Sequence, residues 1–260
     1  MSGAERIAAA FSGREGRAAL MPYLVGGFPD LTTSLGIANG YVDGGADLIE
    51  LGVPFSDPLA DGPVIQSAAS AALSAGATLD RVLGIATEIA ERVPVVLMCY
   101  SNVILARGTD RFVSEIAAGG VSGLIVPDLP LEEAPVVAAS CAANQVSFVA
   151  IAAPTSTDQR LVAIGAATEG FLYAVAVSGT TGEREHDTLY ADVLARVRAH
   201  TDAPVALGFG ISTPQQASAA ADAGADGVIV GSRLVREATE ASDPAAACQL
   251  LVEQFAQALR

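Results

Sequence analysis

The sequence contains no lysine and no tryptophan. All fourteen basic residues are arginine, set against 29 acidic ones, so the formal net charge is −15. Without lysine, no side chain can form a Schiff base with a carbonyl substrate or hold pyridoxal phosphate through one. Only two histidines occur, His186 in a polar stretch and His200 near a predicted helix end, and neither has ligand spacing around it. A catalytic zinc or iron site is therefore not expected, nor is any cofactor. The three cysteines, Cys99, Cys141 and Cys248, are scattered and read as small packing residues rather than disulfide or metal ligands. The acidic excess argues against nucleic acid or an anionic membrane surface as a partner. No apolar run approaches the ~18–20 residues of a membrane span. The first twenty residues carry Glu5, Arg6, Arg14, Glu15 and Arg17 instead of a signal-peptide core. The expectation is a soluble, cytoplasmic protein whose chemistry is limited to carboxylates, hydroxyls, thiols, backbone amides and the bound substrate itself.

What is present is a regular alternation. Short β-rich runs near 19–25, 47–52, 94–100, 123–127, 146–151, 171–177, 204–208 and 227–231 are separated by Ala-rich helical patterns such as 32–43, 78–92, 131–143, 188–200 and 243–259. Uniformly apolar strands alternating with helices predict a parallel sheet covered on its outer face. Three helix-to-strand junctions repeat one another: DGGADLIEL at 43–51, AGGVSGLIV at 118–126 and DAGADGVIV at 222–230. Eight such units in about 250 residues are the count of a (β/α)8 barrel. A doubly wound open sheet is the rival, but no G-x-G-x-x-G follows the first strand. No linker or charge block divides the chain, so residues 1–260 are read as one α/β domain, a TIM barrel with an additional N-terminal helix.

Function in such a barrel collects at the carboxyl ends of the strands. The stretch IELGVPFSDPLADGP at 49–63 places Glu50 between Ile49 and Leu51 in a buried strand, with Asp57 and Asp61 close behind and no basic residue between Arg17 and Arg81. A buried carboxylate without a charge partner has usually been kept for a task. If Ile49, Leu51 and Val53 face the helices, Glu50 points into the barrel mouth. Tyr23, Tyr100, Asp128, Tyr173 and Phe209 stand at other strand ends and outline an aromatic pocket suited to a flat ring. Glycine turns at GFGIS (208–212) and VGS (230–232), read as helix entrances, offer free N–H groups to a phosphate, and SGTTG (178–182) is placed to close over the same anion. Arg233 is a further candidate charge. The bland alternative makes these glycines simple turns, Glu50 a structural acid and Asp61 a helix N-cap.

The stretch LIELGVPFSDPLADGPVIQ at 48–66 resembles the signature of the tryptophan synthase alpha subunit family, and the likeness extends over nearly the whole chain through YSNV (100–103), IVPDLP (125–130), the TG pair at 181–182, GFGIS and VGS. The resemblance implies retro-aldol cleavage of indole-3-glycerol phosphate to indole and glyceraldehyde 3-phosphate, in tryptophan biosynthesis. It also implies a pyridoxal-phosphate beta subunit as partner in an alpha2-beta2 complex, with no cofactor on this chain. With neither a lysine nor a metal as electron sink, the indole ring must serve. By resemblance Glu50 is the acid/base at the ring carbon and side-chain hydroxyl, and Asp61 faces the ring nitrogen. The indole pocket would comprise Tyr23, Met98, Ile125, Tyr173 and Phe209. The phosphate would meet Gly182, Gly210, Gly231 and Ser232. Thr181 would contact the catalytic aspartate when its loop closes, and Asp57 with residues 53–60 would face the beta subunit. The sequence departs from the family pattern at Tyr23, where Phe is expected, and at SGTTGER (178–184). Other phosphate-binding barrel enzymes, a stand-alone lyase of another pathway and a non-catalytic activator of a beta subunit are the competing readings.

Overall fold

The computed structural model describes residues 1–13, 16–176 and 183–260, with only the backbone of 183–188. In chain order it begins α1 (Gly3–Ser12), β1 (Ala19–Val25), α2 (Leu31–Asp43), β2 (Ile49–Gly52), α3 (Pro63–Ser74), α4 (Leu79–Ala90) and β3 (Val95–Met98). There follow α5 (Ser101–Arg107), α6 (Thr109–Ala118), β4 (Gly123–Ile125), α7 (Ala134–Ala143), β5 (Ser147–Val149), β6 (Ile151–Ala152) and α8 (Asp158–Ala167). The chain ends with β7 (Leu172–Val175), α9 (Glu183–Arg198), β8 (Val205–Gly208), α10 (Pro214–Asp222), β9 (Gly227–Val230), α11 (Ser232–Glu240) and α12 (Pro244–Ala258). All pairings are parallel, in the order β5-β4-β3-β2-β1-β9-β8-β7-β6. β5 and β6 are one barrel position interrupted at Ala150, so the nine segments make the eight expected strands and the sheet closes on itself.

The repeated junctions have a shared physical cause. Gly45, Gly120 and Gly224 take φ of 98°, 78° and 100°, a left-handed conformation that a side chain disfavours. The next N–H then reaches back to close the helix: Ala46 to the Tyr41 carbonyl, Val121 to Ile116 and Ala225 to Ala220. The aspartate that follows also recurs for a reason. Asp47 accepts from the Leu20 N–H at 2.8 Å and pairs with Arg17, while Asp226 accepts from the Val205 N–H at 2.8 Å. Each carboxylate satisfies an amide at the start of a neighbouring strand. Ser122, at the same point of the third junction, has a buried hydroxyl without a hydrogen-bond partner among the described residues.

Two apolar layers result. Leu48, Val96, Ile125, Val149, Ala206 and Ile229 fill the barrel interior, and Ile7 of α1 joins them as a plug. The Arg6 guanidinium fastens α1 by donating to the carbonyls of Gly120, Ala90 and Val93. Ile49, Leu51 and Val53 lie in the outer layer between strands and helices, so the expected parity of β2 holds. All three cysteines are buried and free. Among the described residues no helix is long and apolar enough to cross a membrane. The sequence pattern misplaces one boundary: α9 starts at Glu183, not near 188, so Glu183 and Arg184 open a helix rather than continue the closing loop.

Candidate active site

Glu50 lies across from Tyr23 in the β1–β2 register and is 1% exposed. Its Oε2 atom is buried with no hydrogen-bond partner, and none of the ion pairs among the described residues includes it. Burial, with the nearby Asp61 charge second, raises its pKa to about 8, so the carboxyl is protonated at neutral pH. Asp61 is in a different environment. It is half-buried in the loop between β2 and α3; burial raises its pKa, and the Tyr100 hydroxyl opposes that rise by stabilising the ionised form. The bland reading of Asp61 fails, because the N-cap of α3 is Gly62 and no side chain caps that helix.

Tyr100, noted in the sequence only as a pocket residue, holds the acid-bearing loop. Its hydroxyl accepts from the Ala60 N–H at 3.0 Å, and its ring stacks on Phe55 with centroids 5.3 Å apart. The signal available in the sequence was position alone, an aromatic at a strand end followed by a helix. The Asp128 carboxylate fixes that helix by accepting from the Ser101 N–H (2.8 Å) and hydroxyl (2.7 Å). Asp57 accepts from the Ser56 hydroxyl at 2.6 Å and faces solvent beside Leu59, which is 88% exposed.

Ile125 and Tyr173 belong to the interior cluster, and Met98 packs against it. The rings of Tyr173 and Phe209 meet edge-on at 6.2 Å. The Tyr173 hydroxyl sits where a side chain at Gly208 would be, just as the Tyr23 hydroxyl does at Gly52. Glycine on the neighbouring inward position is what lets each phenol lie across the mouth. Phe209 is half exposed and has φ of 68°, followed by Gly210 at 90°. A bulky residue in the left-handed region costs about 1–3 kcal/mol and is typically retained at a functional turn.

The two glycine turns differ from one another. Gly231 is the N-cap of α11 and Ser232 its first residue, and the first N–H groups of that helix have no capping side chain. The GFGIS turn is not a helix entrance. α10 starts later, at Pro214, and its capping box consumes the donors: the Gln216 side chain accepts from Ser212 and Thr213, and Thr213 caps Gln216. Any anion contact there comes from the backbone around Gly210. Arg233, the further candidate charge, pairs with Glu237 one turn on in α11 at 2.6 Å. Thr181 and Gly182 lie outside the described residues.

Residues 10–260 match the family model described as tryptophan synthase alpha chain. The chain is 48% identical over 229 residues to the tryptophan synthase alpha chain of Synechococcus elongatus, covering 87% of this chain and 86% of that one. It is 45% identical to that of Methanopyrus kandleri, with 90% and 85% covered. Among solved structures it resembles tryptophan synthase from M. tuberculosis in its aminoacrylate-bound form (TM-score 0.90, 36% identity, 98% of this chain and 99% of that one). It also resembles tryptophan synthase subunit alpha from Legionella pneumophila (TM-score 0.90, 32% identity, 100% and 98%).

Proposed function

The chain belongs to the tryptophan synthase alpha chain family and cleaves indole-3-glycerol phosphate to indole and glyceraldehyde 3-phosphate, and we propose that Glu50 and Asp61 carry that reaction. The observation behind this reading is a pair of carboxyl groups in one mouth with opposite protonation needs. Glu50, protonated at neutral pH, gives its proton to indole C3. The ring becomes an iminium with positive charge on its nitrogen, which the ionised Asp61 stabilises. Glu50, now a carboxylate, removes the proton from the hydroxyl on the carbon bonded to the ring. The oxygen becomes the aldehyde carbonyl, the carbon–carbon bond breaks, and its electron pair restores the neutral indole.

Tyr23, Met98, Ile125, Tyr173 and Phe209 enclose the ring in this reading. The phosphate takes the N–H groups at Gly231 and Ser232 and backbone near Gly210, with Gly182 and Thr181 completing the closed site. Residues 1–260 act as one cytoplasmic barrel domain. The family implies a beta subunit as partner, and we infer an alpha2-beta2 assembly that receives the indole.

The test is indole release from indole-3-glycerol phosphate by the purified chain with beta subunit present. Glu50→Gln keeps shape but cannot shuttle a proton, so turnover should fall by roughly 10²–10⁴-fold. Asp61→Asn should fall severely too. Wild-type rates in a folded Glu50→Gln protein would remove Glu50 from the mechanism.

A further inference from the structure

Tyr23 stands on β1 between β2, which carries the acid, and β9, which leads to the proposed phosphate seat. Tyr23 is level with Glu50 on one side and Pro22 with Val230 on the other. Its Cβ and Cδ1 atoms are the nearest atoms to a side chain built at Gly231, at 3.8 and 3.9 Å, while its hydroxyl and Cε2 lie over Gly52. The ring therefore starts beside Gly231 and ends over Gly52, two residues beyond Glu50 on β2, where the Glu50 and Asp61 charges still reach its hydroxyl. Its backbone is held in place by the Tyr41 hydroxyl of α2, which donates to the Tyr23 carbonyl at 3.2 Å.

The tip of that ring is chemically uncommitted. Tyr23 is 9% exposed, yet among the described residues its hydroxyl makes no hydrogen bond, and it is absent from those whose hydroxyls are sealed away from the mouth. A buried phenol usually finds a partner. Burial and the charges of Asp61 and Glu50 also raise its pKa well above 10, so it stays a donor throughout the working range and cannot act as a base.

This order of groups matches the order of groups along the substrate, given the reading under Proposed function on which the argument rests. Indole-3-glycerol phosphate carries first the hydroxyl that Glu50 deprotonates, then a middle hydroxyl, then the phosphate. We propose that the Tyr23 hydroxyl donates a hydrogen bond to that middle hydroxyl, making Tyr23 a specificity-determining residue for the hydroxylated chain and not only a wall of the indole pocket. A site built to bond a substrate hydroxyl discriminates against the analogue that lacks it, because its own polar group is then left unpaired.

The experiment is a cycle of kcat/KM values for wild type and Tyr23→Phe, each with indole-3-glycerol phosphate and with the analogue lacking only the middle hydroxyl, in the presence of beta subunit. The analogue still holds the reacting hydroxyl and can be cleaved. One lost hydrogen bond predicts a decrease of about 3- to 10-fold for Tyr23→Phe on the natural substrate. The two proteins should handle the analogue alike, within about twofold. An equal loss on both substrates would assign the effect to ring packing, and no loss on either would leave the hydroxyl without a role; both overturn the proposal. So does a loss confined to the acid side of the pH profile, which would make the phenol a partner of Asp61. Failure of the catalytic reading itself is separable, since it appears as retained activity in Glu50→Gln.

Discussion

A glutamic acid in water gives up its proton near pH 4.5, whereas Glu50, walled in by the barrel, holds it to about 8. The same burial has an effect on stability and an effect on rate. Between those two values the folded chain binds a proton that the unfolded chain has released, so this group's contribution to stability is complete below pH 4.5 and is lost as pH rises towards 8. Each unit of the difference is worth roughly 1.4 kcal/mol. Glu50→Gln cannot ionise, so it should be more stable than wild type by a few kcal/mol at pH 9 and close to it at pH 4.5. Denaturant melts at the two pH values check this, and a constant offset would mean that Glu50 is not held protonated. The rate should show the same group from the other side: kcat/KM should drop as pH rises through about 8, where the acid is lost, and drop again on the acid side as Asp61 protonates. The presence of an odd carboxylate was legible in the sequence from Ile49, Glu50 and Leu51 alone. Its protonation state was not, because that depends on the missing cation and on Asp61, and both are facts of three-dimensional neighbourhood.

At the scale of elements, the legible features were those written as local repeats. The glycine and aspartate of DGGAD and DAGAD specify a left-handed helix end and a capped strand, and both are formed by residues close in sequence. The interruption of the fifth strand at Ala150 carries no such mark. Nor does the left-handed Phe209, where a flanking glycine is the residue one would have assigned the strain. The sequence also treats GFGIS and VGS as equivalent, but the self-capping of α10 by Gln216 separates them and leaves α11 as the open helix end. A Cβ atom added at Gly231 meets nothing closer than Tyr23, at 3.8 Å, so a side chain can be started there without a clash with the core. Gly231→Leu should therefore raise the KM for indole-3-glycerol phosphate more than it lowers turnover, while free indole, which has no phosphate, binds as in wild type. Parallel weakening of both ligands would place the anion elsewhere.

At the scale of the whole molecule, the loop that carries Asp61 also reaches the surface. Ser56, Asp57 and Leu59 are exposed within the segment 53–60, while Ala60 and Asp61 at its end are held by the Tyr100 hydroxyl and Phe55 stacks on the Tyr100 ring. We propose that a protein docking on that segment shifts the position of Asp61. We expect the isolated chain to cleave its substrate slowly and a beta subunit to accelerate it by one or more orders of magnitude, since each tenfold needs only ~1.4 kcal/mol of bias towards the closed site. Thr181, the loop threonine expected to join the closure, lies outside the described residues. Tyr100→Phe removes the hydroxyl that joins loop and acid while keeping the stack on Phe55. It should leave beta-subunit affinity nearly unchanged and reduce the acceleration that the partner confers. Steady-state indole release as beta subunit is titrated in, for wild type and Tyr100→Phe, measures both quantities. Rapid cleavage by the isolated wild-type chain, unchanged when beta subunit is added, would make it a stand-alone lyase. Full activation of Tyr100→Phe would instead keep the partner and discard this route for its influence.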